Sequence, residues 1–328
     1  MWSSRRKEAT LAVASAALAM LCFSSVPVFL RHLTGYLDAW TVNAVRYGVS
    51  MAFWFPFVVV LDRRIRRDPD TAPRRSVWLA ALVPAVPNLL GQIGWAACPY
   101  YVNATTIGFV IRVAFLFTAL LGFLFIPAER RLARRPLFYI GAAATVTGVF
   151  LMYVERLGSG AAASGAEVTG LVIVVATAAA WGGYAVSVRR FLAGYPLRLA
   201  FGVICLYTAL PLAGLMLVFG RYEALAALPA REWVLLPVSG LIGIAMGHVF
   251  YHRGIHGIGP VVASGVTMVG PFVTYALAAV VLTEAITPVQ LAGGGVVVGG
   301  GLLLLKAKAQ ADRAEGARIL LGTGVPSR

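Results

Sequence analysis

The stretch that decides the fold is GPFVTYALAAVVLTEAIT, Gly270 to Thr287. No charged residue interrupts it until Glu284, and the next run begins with the glycine clusters Gly293–Gly295 and Gly299–Gly301. A helix needs about 20 mostly apolar residues to cross hydrocarbon. Working outward, apolar runs of that kind recur from Leu11 to Leu305. In lipid the backbone has no water to bond, so such runs close their own hydrogen bonds as helices. The chain is read as an all-α integral membrane protein.

Composition agrees. Of 328 residues, 59% are hydrophobic and only 12% charged, against about 25% charged in an ordinary soluble domain. A soluble enzyme of this size would leave too much apolar surface wet, and so sparse a charge also excludes a disordered chain. Recurrent runs exclude a single-span receptor. The three cysteines, Cys22, Cys98 and Cys205, lie far apart without paired spacing, so they are expected to be buried thiols in helix packing.

Ten transmembrane helices are expected, over about 9–30, 40–61, 77–97, 104–126, 137–154, 168–188, 199–219, 233–251, 259–283 and 288–305. Arg5-Arg6-Lys7 before the first run resembles a signal peptide, but the run continues to Leu30 without a small-residue cleavage site, so it is read as a retained span. The net charge of +15 falls in bursts between runs. With the N-terminus in the cytoplasm, inner segments collect 22 of the 28 basic residues. Outer loops hold Arg31, Arg156, Arg221 and Arg231, while Arg46 and Arg112 fall inside spans. This is the positive-inside pattern of a multi-pass protein of the cell (plasma or inner) membrane with both termini cytoplasmic. No aromatic residues interleave the basic bursts, so nucleic acid is not an expected partner.

Two halves resemble each other. FIPAERR, Phe125 to Arg131, ends the fourth run as VLTEAIT, Val281 to Thr287, ends the ninth, each placing a Glu before a Gly-rich helix. Residues 23–31 align likewise with 181–189. Five spans per copy is odd, so the copies enter the membrane in opposite senses, as in secondary transporters built from inverted repeats. The expected organisation is an N-terminal tail (1–8), a first five-helix repeat (9–154), an outer linker (155–167), a second five-helix repeat (168–305) and a C-terminal tail (306–328).

On these residues the chain resembles the EamA type of the drug/metabolite transporter superfamily. The strongest pieces are WGGY at Trp181–Tyr184, the Gly270–Thr287 stretch and the Gly-rich last run. The first copy departs from the pattern, with Phe23-Ser24 for Trp-Gly, Leu116 opposite Pro271, and Pro127 inserted before Glu129. The family shares no substrate motif, so the resemblance implies a small-metabolite permease and nothing narrower.

Candidate binding residues follow from the cost of polarity in lipid. Arg112 lies about eight residues into the fourth run, ~12 Å deep at 1.5 Å per residue, with no Asp or Glu nearby in sequence. Facing a cavity, it would bond a substrate carboxylate or phosphate; otherwise it would be tied to carbonyls at a helix break or snorkel outward. Arg46 is shallower and a weaker candidate. Asn88, Gln92 and Trp95 share a face of the third run, where Pro84 and Pro87 predict a break; the alternative is an interhelical hydrogen-bond face. In the ninth run Ser264, Thr267, Pro271 and Thr274 share a face beside Tyr275. Trp181 completes the candidate set of Arg112, Asn88, Gln92, Arg46, Trp181, Thr267 and Tyr275. Glu129 and Glu284 are expected to bond the N–H groups that open the helix following each.

His248, His252 and His256 stand four apart, but no carboxylate or Cys joins them, so no metal and no cofactor is expected; His248 is a candidate proton-sensitive group. The leading function is alternating-access transport of a small polar metabolite, an amino acid or other carboxylate-bearing compound. A lipid-intermediate flippase or drug exporter on the same fold is the rival. No catalytic residue is assigned: an enzyme would need a Ser–His pair, and only Ser264 with His248 offers one. The expected partners are the small-molecule substrate and the bilayer, with a homodimer left open.

Overall fold

The computed structural model describes residues 2–67, 76–158, 165–285 and 287–320. Helices account for the architecture. The first three are α1 (Trp2–Leu33), α2 (Ala39–Arg67) and α3 (Val77–Ala97). Next come α4 (Ala104–Phe125), α5 (Pro136–Gly158), α6 (Gly165–Phe191) and α7 (Leu197–Phe219). The last are α8 (Ala230–Ile258), α9 (Val262–Leu282, with its first turn from Pro260) and α10 (Pro288–Leu320). Among the described residues nine of these are long and apolar enough to cross a membrane, and α5 contributes a shorter apolar stretch, Pro136–Leu151. The residues expected as tails, 2–8 and 306–320, continue α1 and α10 as helix, and 155–158 and 165–167 of the expected linker do the same for α5 and α6.

Outward faces are apolar: Leu79, Val86, Leu90, Val218 and Val280 are all exposed, the last at 83%. Such a belt has no place in water but matches lipid tails. Inward, the helices pair between the two copies in matched fashion. α1 packs on α8 as α3 packs on α6, α2 packs on α7, and α5 packs along α10. Each pairing has its counterpart when the copies are exchanged. Small residues let the last pair approach closely: a Cβ on Gly148 would stand 2.6 Å from the Gly293 carbonyl oxygen, and one on Gly141 2.8 Å from that of Gly300.

Helix ends are fixed by local chemistry. The Asp38 carboxylate accepts from the Trp40 and Thr41 N–H groups at 2.9 and 3.0 Å, capping α2, and from the Arg221 N–H at 2.8 Å in the distant α7–α8 connection. Asn103 caps α4 through the Thr106 N–H at 2.8 Å. α8 and α9 are joined through Gly259 alone, at φ +83°, a conformation glycine adopts without strain.

Two expectations are corrected. α3 runs unbroken through Pro84 and Pro87, since membrane helices tolerate proline where neighbours re-satisfy the freed groups. The breaks lie elsewhere: 3₁₀ turns at Ile111–Val113 in α4 and Thr267–Val269 in α9, and a π segment at Leu241–Met246 in α8. Side chains of α2 at every fourth residue serve the carbonyls around the π segment. Arg46 Nη2 donates to Ser239 O at 3.4 Å, Ser50 Oγ to Gly240 O at 3.0 Å and Trp54 Nε1 to Ala245 O at 3.1 Å.

The second correction concerns Glu284. It does not serve the helix that follows it, because Thr287 and Gln290 cap α10 themselves: the Thr287 N–H meets Gln290 Oε1 at 3.1 Å, and the Gln290 N–H meets Thr287 Oγ1 at 3.2 Å. Glu284 is left to reach across to the other copy. It accepts from the Ala104 and Thr105 N–H groups at 3.0 Å each and from Thr105 Oγ1 at 2.7 Å, capping α4. Glu129 stands in the reciprocal place, its Oε1 3.2 Å from where a Cβ on Gly259 would lie at the start of α9.

Candidate functional site

The 3₁₀ breaks of α4 and α9 face each other, and a cavity opens beside them. It holds about 680 Å³ of unfilled space, its open mouth included. α1, α3 and α4 line it from the first copy, and α6, α8 and α9 from the second. Its walls are largely aromatic: Trp95 and Trp181 lie 4.7 Å apart between ring centroids, and Phe23 meets His248 and Tyr251 edge-on at 5.2 and 5.7 Å. Among the described residues no Asp or Glu lines it.

Among the described residues Arg112 is the one charged group in that wall. It is 8% exposed, and the reason it stays in place is visible. Pro271 has no N–H to offer Thr267 O, the carbonyl four residues back. That oxygen therefore accepts from the Gly270 N–H in the 3₁₀ turn and, at 2.6 Å, from Arg112 Nη1. Arg112 Nε donates to Gly108 O at 3.1 Å. Nη2 makes no hydrogen bond among the described residues and lies 3.0 Å from the position of a Cβ on Gly270, which keeps the approach to it open. The two sequence alternatives thus coincide: the guanidinium is tied to carbonyls at a break, and it also faces the cavity.

Thr267, Trp181 and His248 line the same cavity. Arg46 and Gln92 do not; they line a smaller chamber beside it that shares Phe23, Trp95, Trp181 and His248. Asn88 and Tyr275 line neither. Asn88 Nδ2 bonds Tyr47 Oη and Thr208 Oγ1, both at 2.9 Å, which joins α3 to α2 and α7 as an interhelical contact. The face expected on α9 divides at its break: Ser264 and Thr267 reach the cavity, whereas Thr274 Oγ1 donates to Ser24 O at 2.9 Å and packs α9 on α1.

The three histidines all sit within α8, whose helix runs on to Ile258. They make separate contacts rather than one cluster. His248 Nδ1 faces Gly243 O at 3.3 Å and its ring stacks on Phe201 at 5.2 Å. His252 Nε2 bonds Tyr184 Oη, and the His256 carbonyl accepts from Arg189 at 2.7 Å. Ser264 Oγ is bonded to Tyr251 Oη at 2.7 Å and not to His248, so the pair an enzyme would require is not hydrogen-bonded. All three cysteines are free; Cys98 and Cys205 are buried as expected, Cys22 only half-buried. Sequence reasoning did not place Thr118, Tyr184, Tyr251 or Met268 among the cavity residues; Tyr184 lay in the WGGY piece without being assigned a role, and Thr118 and Met268 carry no signal that separates them from ordinary helix packing. Tyr251, three residues from His248 on one helix face, was within reach of it.

Comparison with known families finds that the model of the EamA-like transporter family matches residues 10–154 and 168–306, one match per repeat. No curated protein matches the chain. Among solved structures it is similar to one described as "Crystal structure of protein", at 20% identity and a TM-score of 0.65, over 93% of this chain and 98% of that one. At that identity the likeness speaks for the fold.

Proposed function

This chain belongs to the EamA-like transporter family of membrane transporters, and from that premise we propose that it carries a small carboxylate-bearing metabolite, an amino acid or related anion, by alternating access. The observation that carries the reading is Arg112. It is a buried guanidinium in a cavity wall with no carboxylate beside it, and its Nη2 is left without a partner among the described residues. Desolvating a guanidinium costs several kcal/mol unless an anion compensates. A carboxylate arriving from solution supplies that compensation, with Arg as the side chain best shaped to hold it.

The two repeats support this reading of the transport mechanism. With five spans per copy the two halves run oppositely through the bilayer, and the exchangeable pairing of α1 with α8 and α3 with α6 suits two bundles that rock against each other. The cavity lies where those bundles meet. Trp95 and Trp181 would hold the apolar part of the cargo, and Thr267 would bond a polar group near its carboxylate. The basic bursts between helices orient the chain with both termini in the cytoplasm of the cell membrane.

The test is a thermal-stability screen of purified protein with amino acids and simple carboxylates, repeated on Arg112→Ala. Cargo bound by the native state alone raises Tm. Stabilisation by carboxylates that disappears in the variant is the expected result. Equal stabilisation of both proteins would remove Arg112 from the site.

A further inference from the structure

A second guanidinium lies next door. The chamber adjoining the cavity holds about 230 Å³ of unfilled space, mouth included, and shares with it the walls Phe23, Trp95, Trp181 and His248. Its own lining adds the polar side chains of Arg46 and Gln92 to the apolar Val26, Gly243 and Ile244. Arg46 is only 1% exposed. Its Nε donates to Ser239 Oγ at 3.0 Å and its Nη2 to Ser239 O at 3.4 Å, but Nη1 is buried with no partner among the described residues. Gln92 Oε1 and the indole N–H of Trp181 are likewise buried without partners among the described residues. Among the described residues no Asp or Glu lines the chamber.

Holding α2 against α8 does not call for a charge at this position. Ser50 and Trp54, one and two turns along α2, bind neighbouring carbonyls of α8 with neutral groups. A buried charge without a counter-ion is costly, and an unpaired donor adds its own desolvation penalty. Both costs are offset if an anionic group enters from the cavity and takes the free Nη1. An incoming carboxylate, which only accepts, would satisfy the two unpartnered donors, Arg46 Nη1 and the Trp181 indole N–H.

We propose that the Arg46 chamber is a second anion subsite, so that the cargo is a dianion, of the dicarboxylate class, with one carboxylate on Arg112 and the other on Arg46. This rests on the reading of Arg112 as the first subsite. The Trp95–Trp181 pair, common to both spaces, covers the chain between the two charged ends.

The experiment measures dissociation constants of full-length purified protein in neutral-lipid nanodiscs at fixed ionic strength. Succinate, glutarate and adipate are compared with butyrate, valerate and hexanoate. At least one dicarboxylate should bind about tenfold tighter than its monocarboxylate counterpart, the gain expected of one added charge-assisted contact. In Arg46→Gln that ratio should collapse towards unity. Because Arg46→Gln also removes contacts to Ser239, Gln92→Glu provides a second arm: it places a carboxylate in the chamber, so it should raise Tm without ligand and abolish the dicarboxylate preference. A ratio near unity in the wild type, or one that persists in both variants, overturns the second subsite. If Arg112→Ala still loses butyrate binding in that case, the first reading stands alone. If no acid binds the wild type, both fall.

Discussion

Arg112 and Thr267 lie in the 3₁₀ breaks that interrupt corresponding helices of the two repeats, and they bond to each other at 2.6 Å. The contact joins a side chain of one copy to a backbone oxygen of the other, at the 3₁₀ break of each. The proline present in the second copy frees the carbonyl, and the first copy, lacking that proline, supplies the cation. The cavity is therefore asymmetric at the point where the repeats are most alike.

Arg112→Ala should lower affinity for a carboxylate ligand by about tenfold to a hundredfold, since hydrogen bonds to charged groups contribute about 1.5–3 kcal/mol. Arg112→Lys should recover little, because a single ammonium cannot hold the Gly108 and Thr267 carbonyls and present a free donor in the same plane. Ligand titration of both variants, with membrane insertion verified, checks this.

Glu284 ties the repeats together at the other end of α4. Glu284→Ala should cost about 1–2 kcal/mol, as for loss of a helix cap, with Thr105→Val costing less because the two backbone N–H contacts persist. A double-mutant cycle on thermal unfolding should return a coupling between the two. Strict additivity would mean the Glu284–Thr105 contact contributes nothing.

Asp38 makes stability depend on acid. Burial alone would raise its pKa, but hydrogen bonds from Thr41, Arg221 and Trp40 outweigh that and hold it below the ordinary 3.8. A depressed carboxyl contributes stability that is fully present above its unfolded value and is lost as pH falls through the folded one. Tm should therefore be flat in this contribution near neutrality and fall below about pH 4. Asp38→Asn should be less stable at neutral pH and show a shallower acid slope. Parallel curves for the two proteins would remove Asp38 as the cause.

Close packing of α5 on α10 should be sensitive to single methyl groups. Gly148→Ala would push Cβ to 2.6 Å from the Gly293 oxygen and the Val297 nitrogen, both backbone atoms, and should cost about 1–3 kcal/mol. Gly295→Ala is the control. Nothing lies within 4 Å of that Cβ, and alanine's helix propensity should make it neutral or stabilising by up to about 1 kcal/mol. Unfolding midpoints of the two variants decide the matter.

The membrane class, the approximate helix positions, the two repeats and the family were legible in the sequence, because hydrocarbon imposes a length and an apolarity that each segment must satisfy by itself. That Arg112 and Arg46 are costly in lipid was equally a local property. Where helices break, and what a polar group faces, was not local. Pro84 and Pro87 marked a break that neighbouring helices removed, while the breaks that do occur lie at Ile111–Val113 and Thr267–Val269, where the copies meet. Asn88 and Gln92 look alike as neighbours on one helix face, yet one bonds across helices and the other faces a chamber. Only packing decides that, because a polar side chain in a membrane takes whichever partner the facing helix brings to it.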